Sequence, residues 1–128
     1  MSGSDVLLDT NAVLYLLGGK IDFESLPVGV FHISCISEME LLSYPKLKGA
    51  EEQIILRFLK DVAIIELSSE IKSMAVGLRR RYRLRLPDAI IAATSIVQNA
   101  SLVTFDKTLT KIEGLHVFQI PLSKRRSI

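Results

Sequence analysis

The chain has 128 residues, 48% of them hydrophobic but only 6% aromatic and none of them tryptophan, with a formal net charge of +2. That length predicts one domain spanning residues 1–128, and an aliphatic palette of Ile, Leu, Val and Ala suits a parallel sheet buried by helices on both faces. A single cysteine, Cys35, excludes an internal disulfide, and no apolar run is long enough to span a membrane.

Residues 1–4, Met-Ser-Gly-Ser, read as a flexible N-terminus. Asp5 and Asp9 flank the short apolar run that follows, which lacks the basic-then-apolar plan of a secretion signal; the expectation is a cytoplasmic protein with no membrane partner. Residues 5–9 read as a buried strand and 10–17 as a helix closed by Gly18-Gly19. A loop around Pro27 leads to a second strand over 30–34. A short helix over 36–43 is halted by Tyr44-Pro45, because the residue before a proline disfavours helix. The next helix spans about 50–59, with Ile54, Ile55, Phe58 and Leu59 facing inward, and 62–67 forms a third strand. Ser68 or Ser69 caps a helix whose apolar stripe is Ile71, Met74, Ala75 and Leu78, and which frays into an arginine cluster. Pro87 suits the first position of a further helix that runs to about Asn99. A strand over 102–105, a helical turn over 107–112, a short strand over 116–120 and a basic tail over 122–128 complete the chain. This alternation predicts an α/β fold.

Four acids stand out by position. Asp9 closes the first strand, Glu40 lies one helical turn beyond the second, Asp88 opens the helix leading to the fourth, and Asp106 follows that strand. In a parallel sheet these places converge at the carboxyl ends of the strands, where ligands bind. Clustered carboxylates repel one another, and a hard divalent cation with oxygen ligands relieves that repulsion. Each acid also has a plainer reading. Asp9 suits a helix cap, Asp88 a first-turn acid favoured by the helix dipole, Glu40 a solvated helix face, and Asp106 a turn. The four plain readings together explain less, because the acids share one topological edge. Thr10, Asn11, Ser37, Ser95 and Thr104 lie in or beside apolar segments and suit hydrogen bonds that hold carboxylates, although local backbone bonding is the expectation for Ser37. Glu38 beside Glu40 is pointed away from it by helix geometry. His32 and His116 lack partners at ligand spacing, so zinc is not expected, and there is no glycine-rich phosphate loop or GxSxG elbow.

Basic charge is uneven. Arg79, Arg80, Arg81, Arg83 and Arg85, with Lys124, Arg125 and Arg126, make up half of the 16 basic residues. Such clusters attract phosphates or an acidic protein. The first cluster suits RNA phosphates or, in the plainer reading, a helix C-terminal dipole.

The segments Leu8-Asp9-Thr10-Asn11, Ile33-Ser34 through Ser37 to Glu40-Leu41-Leu42, Leu86-Pro87-Asp88-Ala89-Ile90-Ile91-Ala92-Ala93-Thr94 and Leu102-Val103-Thr104-Phe105-Asp106 together resemble the PIN-domain ribonucleases, and more closely the VapC-type toxins of toxin–antitoxin pairs. The resemblance covers nearly the whole chain. It implies a three-layer α/β/α sandwich with a mainly parallel sheet. It also implies Mg2+ or Mn2+ held by Asp9, Glu40, Asp88 and Asp106, and hydrolysis of RNA by a metal-activated water. Asn11 would hold Asp9 or touch a substrate phosphate. Many such toxins carry Asn at the position of Asp106 and Asp three residues later, where this chain has Leu109. The family further implies a homodimer and a cognate antitoxin seated near Leu14, Leu17, Leu41 and Leu42, for which ordinary core packing is the plainer expectation. Alternatives are a PIN-fold module binding RNA or protein without cleavage, and a metal-dependent nuclease on DNA or phosphatase.

Overall fold

The computed structural model describes residues 5–44 and 48–122. The strands are β1 (Asp5–Leu8), β2 (Val30–Ser34), β3 (Ala63–Ile65), β4 (Ser101–Val103) and β5 (Val117–Phe118). They form one sheet in the order β3-β2-β1-β4-β5, with every pairing parallel. The helices are α1 (Thr10–Leu17), α2 (Cys35–Leu42), α3 (Gly49–Asp61), α4 (Ser69–Tyr82) and α5 (Leu86–Gln98), joined by 3-10 turns at Phe23–Ser25 and Lys107–Lys111.

Strand alternation divides the core into two layers. Leu7 and its β4 partner Leu102 pack with α4 and α5 through Ile71, Ala75, Leu78 and the Ala89–Ala93 run. Val6, Leu8 and Val103 pack on the other face with Ala12, Val13, Leu41 and Ile55. The sheet is therefore covered on both sides, as its aliphatic composition predicts. β1 is central, and the chain leaves it toward β2 on one side and toward β4 on the other. The switch between those directions opens a crevice at the carboxyl ends of β1 and β4.

Several boundaries differ from the sequence reading. Thr104-Phe105 leave the sheet, so β4 is shorter than the apolar run; β3 and β5 are trimmed in the same way. α4 does not fray at the arginines but runs through Arg79, Arg80 and Arg81 to Tyr82, capped at its start by Ser68, whose hydroxyl accepts from the Ile71 N–H. Its last-turn cations complement the helix dipole. Ile54 is 47% exposed, because the face of α3 that packs on the core runs through Ile55, Phe58 and Leu59 and leaves Ile54 to one side. Leu41 is fully buried in the core and offers no surface to a partner, whereas Leu42 is exposed. The Pro45 stop and the tail cations Lys124, Arg125 and Arg126 lie outside the described residues. Among the described residues no helix is long and apolar enough to cross a membrane.

Candidate active site

Asp9 follows the last residue of β1 and caps α1. Its Oδ1 accepts the Ala12 N–H at 2.8 Å, so the capping expectation holds. Its Oδ2 accepts a hydrogen bond from the Thr104 hydroxyl, and Thr104 Oγ1 in turn accepts the Asp106 N–H at 3.1 Å. The segment beyond β4 thus grips the carboxylate at the end of β1. Asp9 is buried. Burial is the main cause that raises its carboxyl above the ordinary carboxylate range, and the charges of Asp88 and Asp106 add to it; the Thr104 and Ala12 hydrogen bonds pull the other way.

A cavity of about 340 Å³ opens here, lined by Asp9, Thr10, Asn11, Glu40, Arg85 and Asp88, with Ser43, Tyr44, Ile91 and Leu109 at its margins. Three of the four expected acids therefore share one cavity. Glu40 accepts from the Thr10 hydroxyl at 2.5 Å. With its one proton committed there, Thr10 Oγ1 takes the Ser37 hydroxyl at 2.9 Å as its donor. Ser37 therefore buttresses Thr10 across 27 residues of sequence instead of bonding its own helix backbone. Its spacing of three from Glu40, on one helix face, was the available signal. Asp88 Oδ2 is approached by Arg85 Nε at 3.3 Å, a pairing within the first turn of α5 that the sequence reading did not anticipate.

The remaining expected residues divide. Asp106 does not line the cavity; its Oδ1 accepts from the Thr108 N–H at 3.0 Å and the Thr108 hydroxyl at 2.7 Å, which is the plain turn reading. Its charge still reaches Asp9. Ser95 is a correction. It is buried, and its hydroxyl donates to the Ala100 carbonyl at 2.8 Å, closing the end of α5 far along the helix from Asp88. A spacing of seven puts two residues on one face but two turns apart. Asn11 is exposed in the cavity wall and makes no hydrogen bond to Asp9. Glu38 is absent from the lining. Among the described arginines only Arg85 lines the cavity. Arg79 Nε donates to the Leu84 carbonyl, Arg81 pairs with Glu113 at 2.9 Å, and Arg80 and Arg83 lie along the exposed end of α4. Asp5, at the other end of β1, meets His32 at 3.5 Å and takes no part.

The donor set is all oxygen, with one cation beside it, which fits a hard divalent ion such as Mg2+ or Mn2+ better than zinc. Among the described residues, no three acidic, histidine or cysteine side chains are grouped closely enough to hold an ion together. Mg2+ keeps several waters and needs one or two carboxylates, so Asp9 with a single rim acid meets that requirement.

Residues 6–115 match the PIN domain family model. The chain belongs to the PIN-domain family. No curated protein matches it. Among solved structures, it resembles a chain of VapBC2 from Rickettsia felis bound to a DNA fragment from their promoter, with a TM-score of 0.77 and 25% identity, covering 91% of this chain and 98% of that one. It also resembles a chain of a toxin–antitoxin complex from Klebsiella pneumoniae, with a TM-score of 0.73 and 33% identity, covering 90% and 99%. The fold alone is shared with a chain of VapBC-1 from nontypeable Haemophilus influenzae, at a TM-score of 0.71 and 21% identity over 90% and 97% of the two chains. The resemblance to VapC-type members of the family is borne out.

Proposed function

We propose that the protein is a metal-dependent endoribonuclease that hydrolyses RNA phosphodiester bonds, and the toxin of a pair neutralised by a cognate antitoxin. The observation that carries this reading is the cavity in which buried Asp9 faces Glu40 and Asp88. Asp9 with Asp88 would hold Mg2+ or Mn2+, with Glu40 orienting a water and Asp106 acting at longer range. When bound, such an ion lowers the pKa of a coordinated water and stabilises charge on a phosphate. The protein's own part is positional. Thr104 and the Ala12 N–H fix both oxygens of Asp9 in a buried setting, where electrostatic interactions are strengthened. Glu40, held by Thr10, stands ready to orient a water or take its proton. Arg85 and Asn11, exposed at the cavity wall, are placed to meet a substrate phosphate.

Support for an antitoxin comes from the likeness to chains of toxin–antitoxin complexes and from an apolar hollow lined by Leu16, Phe23, Leu26, Val30, Phe31 and Phe58, suited to a partner's apolar segment. A homodimer and a cytoplasmic setting belong to the same proposal. The second reading, a PIN-fold module that binds RNA or protein without cleaving, draws on the lack of a ready three-acid group among the described residues.

The test is cleavage of structured RNAs, and of DNA in parallel, by purified protein with Mg2+, Mn2+ or EDTA, beside an Asp9→Asn variant. RNA cleavage that requires metal and falls to background in the variant is the expected result. Equal activity in the two proteins, or none in either when antitoxin is absent, overturns it; preference for DNA redirects the substrate.

A further inference from the structure

A second concavity lies on the other side of the α4–α5 turn, with a volume of about 480 Å³, lined by Val76, Arg79, Arg80, Arg83, Leu84 and Leu86. Along the turn the lining alternates. Arg85 and Asp88 border the acidic cavity, while Arg83, Leu84 and Leu86 border this one. The turn is therefore a shared wall between an acidic site and an apolar hollow bordered by arginines. Arg79, Arg80 and Arg83 border the hollow, whose lining is mostly apolar, and none of the three forms an ion pair among the described residues; Arg79 Nε donates to the Leu84 carbonyl. Arg81, by contrast, faces a different hollow beside Glu70 and is neutralised by Glu113.

Arg83 carries a further mark. It ends α4 in the left-handed conformation, at φ 57° and ψ 40°. The equivalent end of α5 uses Asn99 at φ 55°, a residue that tolerates this region, and glycine is the usual choice. An arginine held there costs backbone strain, of the kind that clusters at binding and active sites. The helix dipole accounts for cations on the last turn of α4, but not for an arginine at a position made for glycine. Val76 and Leu86, exposed at 56% and 51%, add apolar surface against which a base can pack.

We infer that Arg79, Arg80 and Arg83, with Val76 and Leu86, form a subsite for the RNA strand that flanks the cleaved bond, across the α4–α5 turn from the acidic cavity. This rests on the ribonuclease reading and deepens it. Unpaired cations next to a carboxylate site match a polyanion whose scissile phosphate must approach those acids. The subsite supplies strand affinity that the repulsive cavity itself does not.

The experiment measures binding of a fluorescein-labelled single-stranded RNA by anisotropy over a salt series, in EDTA so that no cleavage occurs. The full chain is compared with Arg80→Ala, Arg83→Gly and Arg81→Ala. Arg80→Ala and Arg83→Gly are each expected to weaken binding several-fold and to reduce the slope of log affinity against log salt by about 0.7 for each phosphate no longer neutralised. Arg83→Gly should do so while raising Tm, since glycine relieves the backbone; a merely structural arginine would lower it. Arg81→Ala should change binding least. Equal effects of all three substitutions would mean general attraction only and overturn the subsite. Unchanged RNA binding would do the same, and a shifted monomer–dimer balance in those variants would then assign the face to a second copy of the chain. Cleavage without these binding effects leaves the nuclease reading standing, whereas these binding effects without cleavage remove that reading and leave the RNA-binding face.

Discussion

Asp9 and the two acids opposite it occupy one cavity in different physical conditions. Asp9 is buried, with both oxygens tied to donors on separate elements, the Ala12 N–H of α1 and the Thr104 hydroxyl beyond β4. Glu40 is exposed on α2, held by Thr10, and Asp88 is tied to Arg85, whose side chain is 83% exposed. One carboxylate is preorganised at the cost of desolvation; the others sit on a rim whose contacts are cheap to exchange. Under the proposed function the difference would divide roles: the fixed acid would define where a cation is held, and the rim acids would adjust to it.

The largest expected effect breaks the fixed side. Asp9→Asn should reduce metal-dependent RNA cleavage to background. Next is the grip on Asp9. Thr104→Val removes the donor to Oδ2 and the acceptor for the Asp106 N–H, and should lower kcat/KM about 10- to 100-fold, as loss of a group orienting a metal ligand does. Thr104→Ser should restore most of it; a Thr104→Val enzyme of full activity would dissolve the distinction between the two sides.

On the rim, Arg85→Ala removes the cation beside Asp88. Mn2+ titrated calorimetrically into this variant should bind up to about five-fold tighter, the scale of an exposed ion pair. Weaker binding would make Arg85 a support of the site instead of a competitor.

The smallest effect concerns stability. The Asp9 carboxyl is raised above its ordinary value, chiefly by burial. Folding therefore favours its protonated form, and that contribution is present at acid pH and lost as pH rises through the folded-state value. Above that folded-state value, and without metal, wild type carries an ionised, buried Asp9 that Asp9→Asn does not. Thermal melts in EDTA should give the variant the higher Tm above that value, with the gap closing as pH falls through it, and Mg2+ should narrow it by stabilising wild type alone. A variant less stable at all pH values would show that the Asp9 hydrogen bonds outweigh its desolvation.

Much of the fold was legible because its signals are local. The caps at Asp9 and Ser68, the turn at Asp106, the stripe of Ile71, Ala75 and Leu78, and the apolar run after Asp88 each express themselves within a few residues. Strand ends were less legible. Thr104-Phe105 have strand-like residue types, yet they leave the sheet, and Thr104 is used to hold Asp9. Ser95 shows the converse limit. Face periodicity aligned it with Asp88 but carries no information on height along the helix, and the nearer Ala100 carbonyl takes its hydroxyl.

The residues alone determined a parallel α/β sheet, the order of its helices and the placing of four acids at element ends, because hydrophobic period and capping chemistry act over one or two turns of chain. Tertiary structure decided which of those acids share a cavity and what holds each one. Strand order brings β4 beside β1, so Thr104 reaches Asp9 across 95 residues. The same packing leaves Asp106 in its turn, sets Ser37 behind Thr10, and separates Arg85 from the arginines across the wall. Such contacts depend on how elements stack, and the burial they produce raises the Asp9 carboxyl above its ordinary range.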